Sequence, residues 1–377
     1  RRDQRNHLMA KGESLADQLF NRDTVGQLAA HFDGAFDTDA FVQDVMADLH
    51  DLELKARINH IAAVLTCYLP QDFLAAAQII HNALPAPLDP TLKDDDFGSF
   101  TYAALGVFVE KQGLAGDFST SLDLLEALTM RFSMEFSIRA FLNADQAKTM
   151  ARVHAWTRHD HYHVRRLASE GTRPRLPWGQ NVGLTAADTL PVLDALHADP
   201  TRFVTRSVAN HLNDIAKFDS DAVIDRLEHW QSLGLQSAKE LDWMRKHALR
   251  SLIKSGHPRA MIHLGYRPDV TIDAPEISVP AQIAMGDKVA IEVAFTPKDT
   301  APVIVDYVID FMKAKGTTAP KAFKLKGFNA KADVPVSLSK THFFDPTAST
   351  RRLYAGAHRV HLQINGRIIA SQDFTLT

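Results

Sequence analysis

The chain has 377 residues, 45% hydrophobic and 23% charged, with a formal net charge of -3. It is too long for one small core and too apolar for disorder, so two folded units are expected. No apolar run is long enough to cross a bilayer, and the opening RRDQRNHLMAKGESLADQLF is too polar for the middle of a signal peptide, so a cytoplasmic, nucleoid-associated protein with no membrane partner is expected. Cys67 is the only cysteine, which excludes an internal disulfide and a zinc site made of several thiolates. A near-neutral total says little about nucleic acid, because a groove binder needs positive charge gathered in one place.

Residues 1 to about 266 read as helices, with apolar residues recurring at three and four in stretches such as SLDLLEALTMRF and AVIDRLEHWQSL. The positive pole lies at 151–178, ARVHAWTRHDHYHVRRLASEGTRPRLPW, where six arginines and four histidines face only Asp160 and Glu170. A solvated helix face followed by a loop accounts for it equally well. Within it, His159, His161 and His163 alternate, which on an extended segment would set three imidazoles on one side. No HExxH-type companion is present, so no metal is expected and the three read as loop histidines near phosphate.

An internal repeat follows. VRRLASE at 164–170, VTRSVAN at 204–210 and MRKHALR at 244–250 are offset by forty residues, close to the helix-pair period of HEAT-type arrays. In that register Arg166, Arg206 and Lys246 are equivalent, as are Glu170, Asn210 and Arg250. On the helix opening near Thr201, with Asp199 and Pro200 suited to the cap and first position, Val204, Val208, Leu212 and Ile215 form the stripe to be buried. Arg206, Asn210, Asp214 and Lys217 form a polar stripe. A solvated outer face explains most such stripes; a basic residue recurring at one register is what tracking phosphates requires. Gly171 and Pro174 end the first repeated helix, so Trp178 is carried on a proline-braced loop, although a tryptophan is more often core. Further on, Ser237 and Glu240 form a capping box before LDWMRKHALRSLIKSG, with Gly256 as the stop.

After GYRP at 265–268 the pattern changes to β-branched and alternating runs, KVAIEVAFT, PVIVDYVIDF, VPVSLS, RVHLQI and RIIASQDFTL, which predict a sandwich of about seven strands. Asn365 and Gly366 mark a tight hairpin. The fold class is thus multidomain, an all-α HEAT-like repeat solenoid over 1–268 followed by an all-β immunoglobulin-like sandwich over 269–377. Arg351 and Arg352, in the turn-rich FFDPTASTRRLYAGAH, are candidates for reaching DNA, with a plain solvated loop as the alternative.

The strings HVRRLASEGTRPRLPW and FVTRSVANHLNDIAK, with TRRLYAGAHRVHLQINGR in the β-rich tail, resemble the AlkC-type DNA alkylation repair glycosylases over most of the chain. The resemblance implies a monomeric, cofactor-free enzyme of base excision repair on duplex DNA. Such an enzyme excises cationic bases, notably 3-methyladenine and 3-methylcytosine, without rotating them out of the helix. It also assigns the functional acids to Glu135, Glu170 and Asp214, with Trp178 as an aromatic wall. Carboxylates beside the sugar would stabilise an oxocarbenium-like state and attract a cationic base. Each has a plainer reading: Glu135 paired with Arg131 or Arg139 on one helix, Glu170 with Arg166, and Asp214 with Lys217 or at a helix end. Arg165, Arg166, Arg173, Arg206 and Lys246 are the phosphate candidates, Arg173 partly through the resemblance. A repeat scaffold that binds DNA or protein without catalysis is the competing reading.

Overall fold

The computed structural model describes residues 14–92, 94, 97–348 and 351–377; most of the opening segment searched for a leader, and residues 349–350 of the Arg351 loop, lie outside the described residues. Helices occupy the chain from Leu15 to His263 and strands from Ile272 to Leu376. Helix starts follow local chemistry: Asn21, Asp37, Asp72, Asp117, Asp145, Thr185 and Asp219 each accept hydrogen bonds from first-turn amides through their side chains. The chain divides into two compact units, one ending at Asp214 and the other running Ile215–Thr377.

In the first unit, helix Leu54–Tyr68 packs on Ala103–Gly113, and Tyr162–Glu170 packs on both Gln146–Trp156 and Ala186–Leu196. The three repeated strings fall on alternate helices, Tyr162–Glu170, Arg202–Ile215 and Ala238–Ala248, with Ala186–Leu196 and Ser220–Leu233 between them. Val204, Val208, Leu212 and Ile215 are buried, as an apolar stripe should be.

Two boundaries differ from expectation. The helix after Pro200 begins at Arg202; Asp199 instead accepts from the Thr201 amide and hydroxyl at 2.8 and 2.7 Å, a local turn that outcompetes the cap. The helix opened by Ser237 breaks at Leu249, and a short helix Arg250–Lys254 carries the chain to Gly256, whose φ of +75° suits glycine. At Gly171, where helix Tyr162–Glu170 ends, φ is ordinary and glycine is required instead by space: a Cβ there would sit 2.6 Å from Ile138 Cγ2.

The second unit holds helices Ser220–Leu233 to Pro258–His263 and a sandwich of two sheets, ordered β1-β3-β6 and β2-β8-β7-β4-β5. The strands are β1 Ile272–Ser278, β2 Gln282–Ile283, β3 Lys288–Pro297, β4 Ala301–Met312, β5 Thr318–Ala330, β6 Val336–Phe343, β7 Gly356–Ile364 and β8 Arg367–Leu376. All pair antiparallel except β2 with β8. Eight strands replace the predicted seven or so. β5, rich in lysine and poor in alternation, lies at a sheet edge where only half its ladder is paired, so it needed little apolar patterning. Val303, Val305, Tyr307 and Ile309 of β4 meet Ile291, Val293 and Phe295 of β3 in the core between the sheets.

Candidate functional site

Glu135, Arg166, Glu170, Arg173 and Asp214 come together in the first unit as a chain of alternating charge. Arg166 Nη1 donates to Glu135 Oε2 at 2.7 Å and its Nη2 lies 3.8 Å from Glu170 Oε1. Arg173 spans the next two acids: Nη1 donates to Glu170 Oε1 at 2.6 Å, while Nε and Nη2 reach Asp214 Oδ2 at 2.9 and 2.8 Å. Three carboxylates against two guanidiniums leave these five groups with one negative charge. Glu170 and Asp214 are buried, at 5% and 3% exposure; Glu135 and the two arginines are somewhat more open.

Burial so deep opposes ionisation, yet the pairs prevail. Desolvation pushes the Glu170 carboxyl up, but Arg166, Arg173 and the Ser207 hydroxyl together hold it below the ordinary glutamate range. For Arg166, burial works against the charge and Glu135 and Glu170 outweigh it, so its pKa is raised. A buried charge with both partners in place is tolerated; one left alone is costly.

Glu170 and Asp214 point inward onto Arg173, because their backbones lie on helix faces that pack against neighbouring helices and a paired carboxylate can be buried there; Glu170 also keeps the Arg166 partner of its plainer reading, whereas Asp214 meets Arg173. Glu135 is not on a helix: it sits in the turn ahead of Ile138–Ala144, so the expected pairing with Arg131 or Arg139 at four residues does not form. Those arginines do other things. Arg131 donates to the carbonyls of Pro85 and Ala127. Buried Arg139 donates to the carbonyls of Gly171 and Arg173, each at 2.9 Å, and of Gln180, so one guanidinium shapes the whole loop that bears Trp178.

Trp178 is 58% exposed and holds a φ of +67°, a left-handed conformation that costs a non-glycine residue ~1–3 kcal/mol and recurs at functional sites. Lys55 Nζ steadies its carbonyl at 3.1 Å. The loop thus presents the indole outward against its own backbone preference.

The phosphate candidates separate. Arg166 and Arg173 belong to the ionic chain, and Arg166 also lies 4.4 Å over the Phe203 ring. Arg165 is structural rather than free for phosphate: its guanidinium grips Asp199 at 2.6 Å and the carbonyls of His159 and Asp160, tying one interhelical turn to another. Arg206 bonds Asp94, and Phe97 stacks edge-on against Phe203 at 5.4 Å. Lys246, in the second unit, pairs with Asp242 at 2.7 Å on an exposed face. In the sandwich, Arg351 lies 3.7 Å over the Phe311 ring and is partly buried, whereas Arg352 is exposed beside Tyr354. Both edge the same cleft as Lys313, Lys315 and Lys321.

The histidines do not line an extended segment. His161 caps helix Tyr162–Glu170 by accepting from the His163 amide at 3.2 Å, and also bonds the Leu88 carbonyl; it and His163 are buried. Packing and capping, rather than phosphate, account for them.

Sequence reasoning missed Ser207 and His211. Ser207 Oγ donates to Glu170 Oε2 at 2.6 Å, and His211 Nδ1 meets the Ser169 carbonyl at 3.0 Å. Burial lowers the His211 pKa to about 4, so its ring is neutral at neutral pH and the Nδ1 contact is a donated hydrogen bond. The signal was present: Ser207, His211 and Asp214 stand four and three residues apart on one helix and share a face.

Comparison with known proteins places both parts of the chain. Residues 125–252 match the family described as "DNA alkylation repair enzyme", and residues 273–377 match "Uncharacterised protein YhaZ, C-terminal Ig-like domain". The chain is 31% identical over 365 residues to the protein "Uncharacterized protein YhaZ" of Bacillus subtilis strain 168, covering 95% of this chain and 98% of that one. It also superposes, with a TM-score of 0.83 and 32% identity, on the Pseudomonas fluorescens alkylpurine DNA glycosylase AlkC bound to DNA containing an abasic site analog. That likeness covers 97% of this chain and 100% of the other.

Proposed function

Because the chain belongs to the AlkC-type family of DNA alkylation repair glycosylases, we propose that it hydrolyses the N-glycosidic bond of cationic methylated bases, 3-methyladenine and 3-methylcytosine, in duplex DNA. The observation that carries this reading is the buried carboxylate–guanidinium chain Glu135–Arg166–Glu170–Arg173–Asp214 beside an exposed, conformationally strained tryptophan. In the reaction the bond from C1′ to the base nitrogen breaks with its electron pair going to the base, which leaves neutral. Water adds to C1′ and gives up a proton. The sugar is positive at the transition state, and fixed carboxylates lower its energy without having to reorganise.

A lesion already charged needs no acid to protonate it, which supports excision from within the duplex rather than from a deep pocket. Glu135, the most open of the three acids, stands nearest to solvent. Contact of Asp214 with the sugar requires Arg173 to release it, and a DNA phosphate is the anion that can accept the guanidinium in exchange. Arg206 and Lys246 would follow phosphates in a HEAT-like array over 1–268. Arg351 and Arg352 would contact DNA from the sandwich domain at 269–377. On this reading the protein acts as a monomer in the cytoplasm.

The experiment is incubation with alkylated duplex DNA followed by chromatography of released bases. Release of free 3-methyladenine at a rate proportional to enzyme is expected; duplex binding with no release above buffer would leave a non-catalytic scaffold.

A further inference from the structure

Trp178 also forms a wall of a small cleft in the first unit, with a volume of about 110 Å³. Phe100, Phe136 and Val107 supply its apolar sides; Asn59, Glu110 and Gln180 supply polar edges, and Lys55 also lines it with its Nζ held by the Trp178 carbonyl at 3.1 Å. None of the five charged groups described above lines it, but Ser133 and Phe136, two and one residues from Glu135, do. The cleft therefore adjoins the ionic chain without being part of it.

Its chemistry selects a flat molecule. Aromatic and aliphatic faces favour a planar apolar ring system, while the polar groups are few and set to meet an edge. Glu110 accepts from Gln180 Nε2 at 2.7 Å through Oε1, which leaves Oε2 to receive a further donor. Burial raises the Glu110 carboxyl above its ordinary range, against the pull of Lys111 and Lys55. An anionic ligand such as a phosphate would meet that carboxylate and would have to draw Lys55 off the Trp178 carbonyl, whereas a heterocycle with an exocyclic amine would donate to Glu110 and leave Lys55 in place.

We propose that this cleft is an exit site that receives the excised base, a neutral methylated adenine or cytosine, stacked on Trp178 with its amine directed at Glu110. The proposal rests on the glycosylase reading. It follows from the bond accounting that the base leaves uncharged, so it is no longer held by the carboxylate chain and moves to a more apolar neighbour.

The test is equilibrium dialysis of the full DNA-free chain against radiolabelled 3-methyladenine, with base release from alkylated duplex assayed on the same preparation. Saturable binding at one site is expected, weakened about tenfold or more by Glu110→Gln, which removes a charged acceptor, and by Val107→Phe, which fills the cleft. Thermal melts of both variants establish that they fold, and either one alone suffices. Release of base without detectable binding of the free base, or binding unchanged in a folded variant, overturns the exit site and leaves the glycosylase standing. Binding without any release counts against the glycosylase alone.

Discussion

At the level of single residues, Arg173 is where stability and reactivity meet, because it neutralises Glu170 and Asp214 together. Removing one partner of a buried pair strands the other, so Glu170→Gln should lower unfolding stability by about 3 kcal/mol at neutral pH. The pH dependence has a defined sign. Glu170 is held below its ordinary pKa in the folded state, so its contribution is present above about pH 4.5 and is lost as pH falls below it. His211, lowered from 6.5 to about 4, binds its proton more readily when unfolded, so stability declines further as pH drops from 6.5 towards 4. Urea midpoints measured from pH 7 down to about pH 2.5 should fall throughout, and Glu170→Gln should flatten only the part below about pH 4.5; a parallel curve there in the variant would contradict the pairing. Arg206 offers a different test. Its bond to Asp94 competes with phosphate, so Asp94→Asn should tighten duplex binding severalfold, most at low salt, as followed by fluorescence anisotropy.

Among the elements, the parts legible in the sequence were those governed by short-range rules. The Asn365–Gly366 turn is the clearest: φ values of +45° and +81° allow the two-residue connection that pairs Ile364 with Arg367. What the sequence could not convey is that Asn365 is also buried at 2% exposure. Its Oδ1 accepts from the Ile304 amide at 2.8 Å and its Nδ2 donates to the carbonyls of Arg267 and Pro302. Asn365→Ala should therefore cost about 2–4 kcal/mol, well beyond the loss of a turn residue, in thermal or urea unfolding. The same limit applies at the site. Glu135, Glu170, Asp214 and Trp178 were found through resemblance to a family, and the repeat register brought out Arg166. Glu170 beside Arg166 was legible at four residues' spacing, but the partners of Glu135 and Asp214 were not, because they lie 31 and 41 positions away in the chain. Ser207 and His211 were hidden for a related reason. On a helix with one apolar stripe and one charged stripe, the polar residues between the two look like surface until a neighbouring helix buries them.

For the molecule as a whole, one physical idea connects the two units' roles in the proposed reaction: positive charge is gathered for the DNA backbone, and buried carboxylates are kept, shielded by arginines, for the sugar. Keeping carboxylates ionised in a buried place requires those arginines, and using them on DNA requires that at least one be surrendered to phosphate. This makes Asp214 the sharpest point of the account, since its paired Oδ2 faces Arg173 rather than solvent. The most direct measurement is the single-turnover rate of 3-methyladenine release by Asp214→Asn at saturating enzyme, with duplex affinity measured alongside. The rate is predicted to fall on the order of a hundredfold, as for the loss of one fixed electrostatic partner, while affinity is kept or tightened because Arg173 is freed for phosphate. A variant that binds and releases base at the native rate would contradict the claim that these carboxylates meet the positive charge on the sugar.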